Sequence, residues 1–359
     1  MPAARHRVFG NRRKGGKMNE SKRIVWIDNV KVIAMILVVL CHFSQSMAES
    51  ALISKSSALV FVNEFCYLFH IQLFFICSGW LFQKYTSYTS LGDYAKNISK
   101  KLIALGVPYL FFVLLSHLFK TLFSSYVNNQ SGSLLKELFV SPMPPYWFLY
   151  VLFLIFLITP AVKTKTQSCV LLGVSVAACV AINILNGRFD IIYAVEHTLT
   201  YWIWFAFGAF IAKAEPKKLS SPYSIILFAA AFAAEIFNFK YLNGDNFLVN
   251  LAISLLACCG ILGFMSWVYR ANKQTPIMRF FAKYTMPIFL MHTIFAAGIR
   301  SVLFKLEITN SAIHIVLGLI ITFIGPIIAT VLMEKLHLDF LLYPLKYTEK
   351  IKNKKKQTT

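Results

Sequence analysis

Apolar residues in this chain gather into runs long enough to cross a lipid bilayer. A membrane-spanning helix needs about 20 mostly apolar residues. The pattern predicts spans near 24–48, 58–83, 102–126, 146–162, 168–185, 193–212, 222–239, 247–269, 283–304 and 311–333. The 146–162 run is short, and 193–212 is polar at its start. The expected fold is an all-α integral membrane protein, a bundle of about ten transmembrane helices.

Charge supports this division. Lys and Arg alternate between rich and poor connections, 28 on one side against six on the other, with Lys31 and Lys120 inside spans. Basic residues stay on the cytoplasmic face. Both termini are therefore expected in the cytoplasm, and a missed or invented span would scramble the alternation downstream. In a soluble protein the net charge of +21 would suggest nucleic acid. Here the charge is a topology signal, and no nucleic-acid partner is expected.

Composition agrees. Of 359 residues, 57% are hydrophobic and 14% charged, against about 25% charged in soluble proteins. The missing polar surface makes the lipid bilayer the solvent and the cell (inner) membrane the expected location. We read a basic cytoplasmic arm at 1–23, one transmembrane domain at 24–333 and a basic cytoplasmic tail at 334–359. Little packed structure is expected in residues 1–17 or at the end of the tail, and either Met1 or Met18 can be the start. A basic arm, the apolar run Val32 to Cys41 and Ser46-Met47-Ala48 also resemble a cleavable signal peptide. That reading would discard Lys31 and His42. The seven Cys are odd in number, lie in apolar runs and lack zinc spacing, so they read as core residues and no metal site is expected. No Walker or GxGxxG motif and no soluble catalytic domain is visible.

Ionisable side chains within spans are costly and are candidates for function. The first span carries Asp28, Lys31, His42 and Gln45. Eleven residues turn a helix 20° beyond three full turns, so Lys31 and His42 share a face, about 16 Å apart along the axis. Lys31 suits an anionic group entering from the cytoplasm. His42, deeper, suits a general base. The structural alternative is an interfacial Asp28–Lys31 ion pair, with His42 bonded to a neighbouring helix. The second span places His70 near mid-membrane and Ser78-Gly79 toward the cytoplasm, where a small pair permits close helix or ligand approach. Glu64, six residues from His70, falls on nearly the opposite face. In the ninth span His292 is again at mid-depth, and Pro287 can open a backbone site. His117, His197, Glu196, Glu235 and Arg300 lie in or near outer halves; each alone reads as structural, and together they suggest a polar cavity open to the outside.

These residues resemble the acyltransferase 3 family, in particular its fucose 4-O-acetylase-like branch. Trp26-Ile-Asp28-Asn-Val-Lys31 through His42 resembles the family's first-helix signature, a basic residue, ten others, then His. Phe69-His70-Ile-Gln-Leu-Phe-Phe-Ile-Cys-Ser78-Gly79 is similar to its second-helix motif. Pro145-Tyr-Trp147-Phe-Leu and Thr285-Met-Pro-Ile-Phe-Leu-Met-His292 are similar to two further helices, in family order. Lys31 stands where many members have Arg. The family's paired-Arg motif before the third-helix proline is unmatched in spacing; Lys96, Lys100, Lys101 and then Pro108 stand there.

The resemblance implies transfer of an acyl group, usually acetyl, from cytoplasmic acyl-CoA to a hydroxyl of a cell-envelope or exported glycan. Acetyl-CoA is a co-substrate here, and no bound cofactor is expected. His42 and His70 are the expected catalytic residues, with His42 as base or either as acyl carrier. Asp28, Lys31, Lys100, Lys101, Ser78, Gly79, Trp147 and His292 are the expected substrate-binding residues. The rival class is a transporter or flippase of a lipid-linked glycan, with the same polar stripe as its pathway.

Overall fold

The computed structural model describes residues 23–88, 90–123, 132–186, 188–214 and 220–347. The arm up to Lys22, with Met18, and the tail from Thr348 lie outside the described residues, as does the end of the expected 102–126 span. The described residues form twelve α-helices and no strand: α1 (Val25–Glu49), α2 (Ser57–Tyr67), α3 (His70–Tyr85), α4 (Leu91–Lys101), α5 (Val107–Leu122), α6 (Trp147–Ile158), α7 (Lys165–Asn186), α8 (Tyr193–Ala214), α9 (Ser224–Tyr241), α10 (Phe247–Val268), α11 (Pro276–Lys305) and α12 (Ser311–Lys335). Several starts are capped by side chains. Ser56, Ser90, Asn246 and Asn310 accept backbone N–H bonds of the first turns of α2, α4, α10 and α12, satisfying donors that a helix start leaves open. The first turn of α1 is held from a distance, its Val25 N–H donating to Asn272 Oδ1 at 3.1 Å.

Among the described residues, eight helical stretches are long and apolar enough to cross a membrane, with α2–α3 counted as one and α4–α5 as another. The chain is a multi-pass membrane protein. Two of the expected ten spans differ from these eight. Helix α6 has 12 residues, fewer than the hydrocarbon core requires, because Thr159-Pro160 ends it. Helix α8 has the length but carries Glu196, His197 and Lys213. It lies inside the bundle against α3, α7 and α6, where protein replaces lipid as its neighbour.

The expected 58–83 span is broken at Leu68-Phe69, and the break is chemically closed. His70 Nδ1 faces the Cys66 carbonyl oxygen, and Gln72 Nε2 donates to the Tyr67 carbonyl at 3.2 Å. Helix α4 has no buried residue; it leads through a π-helical turn at Leu102–Gly106 into α5, whose second residue is Pro108.

The core runs through α1, α3, α6, α8, α10 and α11. Lipid supplies no hydrophobic drive between helices, so small residues that let backbones approach matter more. At the α3–α8 crossing Gly79 and Gly208 face each other's helices. A Cβ on Gly79 would lie 1.9 Å from the Phe205 carbonyl oxygen, and one on Gly208 2.0 Å from that of Ile76. Pro287 lacks an N–H inside α11 and so frees the carbonyl of Lys283, four residues earlier. The Tyr343 hydroxyl donates to that carbonyl at 3.3 Å.

Candidate active site

Helix α1 carries the site. Its contacts with α3 bring Cys77 within electrostatic reach of Asp28 and Lys31, and His70 within reach of His42. The two ends of the stripe have different surroundings.

At the first end Asp28 pairs with Arg23, Nε to Oδ2 at 3.0 Å, rather than closing on Lys31. Lys31 has Lys101 within electrostatic reach, and Lys101 Nζ stands 4.2 Å from the Phe156 ring centre. The charges of these two cations, from α1 and α4, are therefore felt at one another's positions. Lys100, on the same turn as Lys101, is exposed.

At the other end His42 borders a cavity of about 620 Å3, within the range of small-molecule sites. The wall runs from His42, Tyr67 and Thr293 past Ser46, Ser116 and Pro144 to Glu49, Lys120 and Lys305. Glu49 and Lys305 are exposed, so the cavity reaches the surface at the end of α1 away from Lys31. His42 makes no hydrogen bond among the described residues, and its nitrogens are left for a ligand in the cavity. His292 stands beside it, ring centres 5.4 Å apart, and Tyr67 edge-on at 6.3 Å. The Tyr67 hydroxyl is fixed by donation to Gln45 Oε1 at 2.8 Å.

The three histidines near one another, His42, His70 and His292, are not equivalent. His292 Nδ1 faces the Phe289 carbonyl oxygen at 2.8 Å, and His70 Nδ1 faces that of Cys66. A carbonyl oxygen only accepts, so in both rings Nδ1 carries the proton and Nε2 keeps its lone pair. Both Nε2 atoms are buried without a partner among the described residues. Of the three, His42 is the one on the cavity wall.

The remaining expected site residues fall elsewhere. Gly79 is occupied by the α8 backbone, and Ser78 Oγ donates to the Phe74 carbonyl of its own helix at 2.8 Å. Trp147 packs on His197 and Tyr201, with ring centres 5.6 and 5.1 Å away. Of the five residues expected to form an outer polar cavity, Arg300 lines this one. His117 pairs with Glu137 at 2.6 Å, His197 with Glu196 at 3.8 Å, and Glu235 accepts from Asn238 at 2.9 Å. Glu64 lies by Gly244, away from His70. Sequence reasoning missed Tyr67, Ser46, Glu49 and Thr293. Spacing could have found two of them, since Ser46 and Glu49 follow His42 by four and seven residues on one helix face.

Hidden polar walls also tie the helices together. Tyr146, fully buried, shares a hydrogen bond with Ser116 at 2.7 Å and donates to the Leu290 carbonyl of α11 at 3.1 Å. This fixes α5, α6 and α11 around one side of the cavity. The arrangement offers an unpaired imidazole at the inner end of a surface-connected cavity, with a cationic cluster farther down the same helix. Searches of curated proteins and of solved structures find no match. A family model described as an acyltransferase domain matches residues 24–331.

Proposed function

The chain belongs to the acyltransferase 3 family, and from that premise we propose that it transfers an acetyl or other short acyl group from cytoplasmic acyl-CoA to a hydroxyl of a cell-envelope glycan. The observation that carries this reading is His42, unpaired at the inner end of a 620 Å3 cavity, on the helix that presents Lys31 three turns earlier. Acyl-CoA phosphates dock near Lys31 and Lys101, on the side of the basic arm. The glycan enters the cavity from the other side. His42 takes the proton of the acceptor hydroxyl as its oxygen attacks the thioester carbonyl. The C–S bond breaks, and CoA leaves as a thiolate that picks up a proton from water. The product is an O-acyl ester, and His42 returns its proton to solvent through the cavity.

Full-length protein in lipid nanodiscs, given acetyl-CoA and a glycan extract of the cell envelope, should release free thiol only when glycan is present. His42→Ala should reduce that release by roughly 10²–10⁴-fold, the usual contribution of a general base. Movement of glycan across the membrane without thiol release would instead establish the transport reading. Mass spectrometry of surface glycans from cells with and without the gene identifies the acylated product.

A further inference from the structure

We propose that the acceptor is an anionic glycan, whose phosphate or carboxylate group is held at the cavity mouth by Lys120, Arg300 and Lys305, away from the hydroxyl that receives the acyl group. This rests on the transfer reading above and names its substrate class.

Among the described residues the mouth carries three cations and one carboxylate, Glu49. Glu49 lies within electrostatic reach of Arg300, whose Nη1 also donates to Ser46 Oγ. Lys120 on α5 and Lys305 on α11 have no carboxylate in ion-pair range among the described residues. The net excess of positive charge faces the cavity.

Two observations separate this from ordinary lysines reaching for the membrane surface. The first is placement against topology. The ends of α1, α5 and α11 that form the mouth lie on the side with only six basic residues in its connections, where basic residues are disfavoured. Arg300 and Lys305 are two of those six, and they meet Lys120 on one wall. The second is burial. Arg300 is 5% exposed, and its Nε has no partner among the described residues. Burying a guanidinium is costly unless an anion or hydrogen bonds compensate it; Glu49 and Ser46 supply part of that compensation and leave Nε without an acceptor among the described residues.

Geometry sets where the anion sits. Lys305 follows His292 by thirteen residues, about 20 Å along the α11 axis, whereas the Arg300 guanidinium, bonded at Ser46, stands one turn of α1, about 6 Å, beyond His42. The reach to the rim lysine exceeds one sugar ring. An acceptor that touches both His42 and Lys305 is therefore an oligomer. Binding energy gathered at such a distance serves to position the hydroxyl at His42.

The test is binding to the full-length protein in nanodiscs of zwitterionic lipid, measured by titration calorimetry. The probes are oligogalacturonate, which carries carboxylates, oligo(glycerol phosphate), which carries phosphates, and a neutral malto-oligosaccharide of matched length. At least one anionic probe should bind roughly tenfold or more tightly than the neutral one, the yield of one charge-assisted hydrogen bond. The tighter of the two anionic probes identifies the source of charge. The preference should shrink as salt rises, and Lys120→Gln with Lys305→Gln should remove most of it. Both lysines are at the rim, and the salt series on the unaltered protein needs no variant. Equal binding of neutral and anionic probes, or a preference that survives the double substitution, overturns the proposal. Binding requires no donor, so failure here leaves acyl transfer standing, and thiol release measured in parallel judges that reading separately.

Discussion

At the residue scale, the same residue type does different work according to what closes its polar atoms. His42 and His70 look alike in the sequence, each within an apolar run. His70 spends its Nδ1 on the Cys66 carbonyl that the α2–α3 break releases, while His42 is left facing the cavity. His70→Ala should lower stability by about 1–3 kcal/mol, because a buried carbonyl loses its donor. His70→Gln, whose amide can donate, should recover most of that and retain thiol release. Thermal unfolding and the transfer assay read the two effects separately. Loss of transfer in a stable His70→Gln protein would assign the buried Nε2 to the reaction. The sequence could list the histidines, but hydrogen-bond closure depends on neighbours from other turns and other helices.

At the element scale, the Ser78-Gly79 pair illustrates how packing claims a residue that motif reading leaves open between ligand and helix. Gly79 meets the Phe205 backbone of α8, and Gly208 meets Ile76 of α3. Gly79→Ala should destabilise the bundle by about 1–3 kcal/mol through overpacking, seen as a lower unfolding temperature in detergent. Gly173→Ala in α7 is the control. Nothing lies within 4 Å of a Cβ there, and Ala should leave stability unchanged or raise it by up to about 1 kcal/mol. Equal losses at both positions would contradict the crossing. The helices themselves were readable as apolar runs. Their interruptions were not, since the break before His70 and the early end of α6 at Ile158 leave hydropathy almost unchanged. Helix α8 was readable as a helix, but its polar residues are tolerated only because other helices enclose it.

At the scale of the whole molecule, charge alternation predicts an orientation of the bundle, which labelling of the two ends of α1 tests. With native cysteines replaced, Glu49→Cys should react with a membrane-impermeant thiol reagent added to intact spheroplasts. Arg23→Cys should react only after the membrane is opened. The reverse pattern would exchange the sides of donor and acceptor while leaving the cavity intact. Lys31 and His42 lie on one helix, so no rearrangement of loops can alter which of them is nearer the basic arm.

The class of molecule, the family signature and the common face of Lys31 and His42 are legible in the chain without its fold. Each of these follows from local quantities: apolar run length, the sidedness of Lys and Arg, and 100° of turn per residue. Tertiary structure decided that of His42, His70 and His292 only His42 borders the cavity, that Gly79 belongs to a helix crossing, and that Lys120 and Arg300 share one wall. Lys120 and Arg300 are 180 residues apart in the chain. Only the packing of α5 and α1 against α11 brings their charges to the same opening, and no local period encodes that contact.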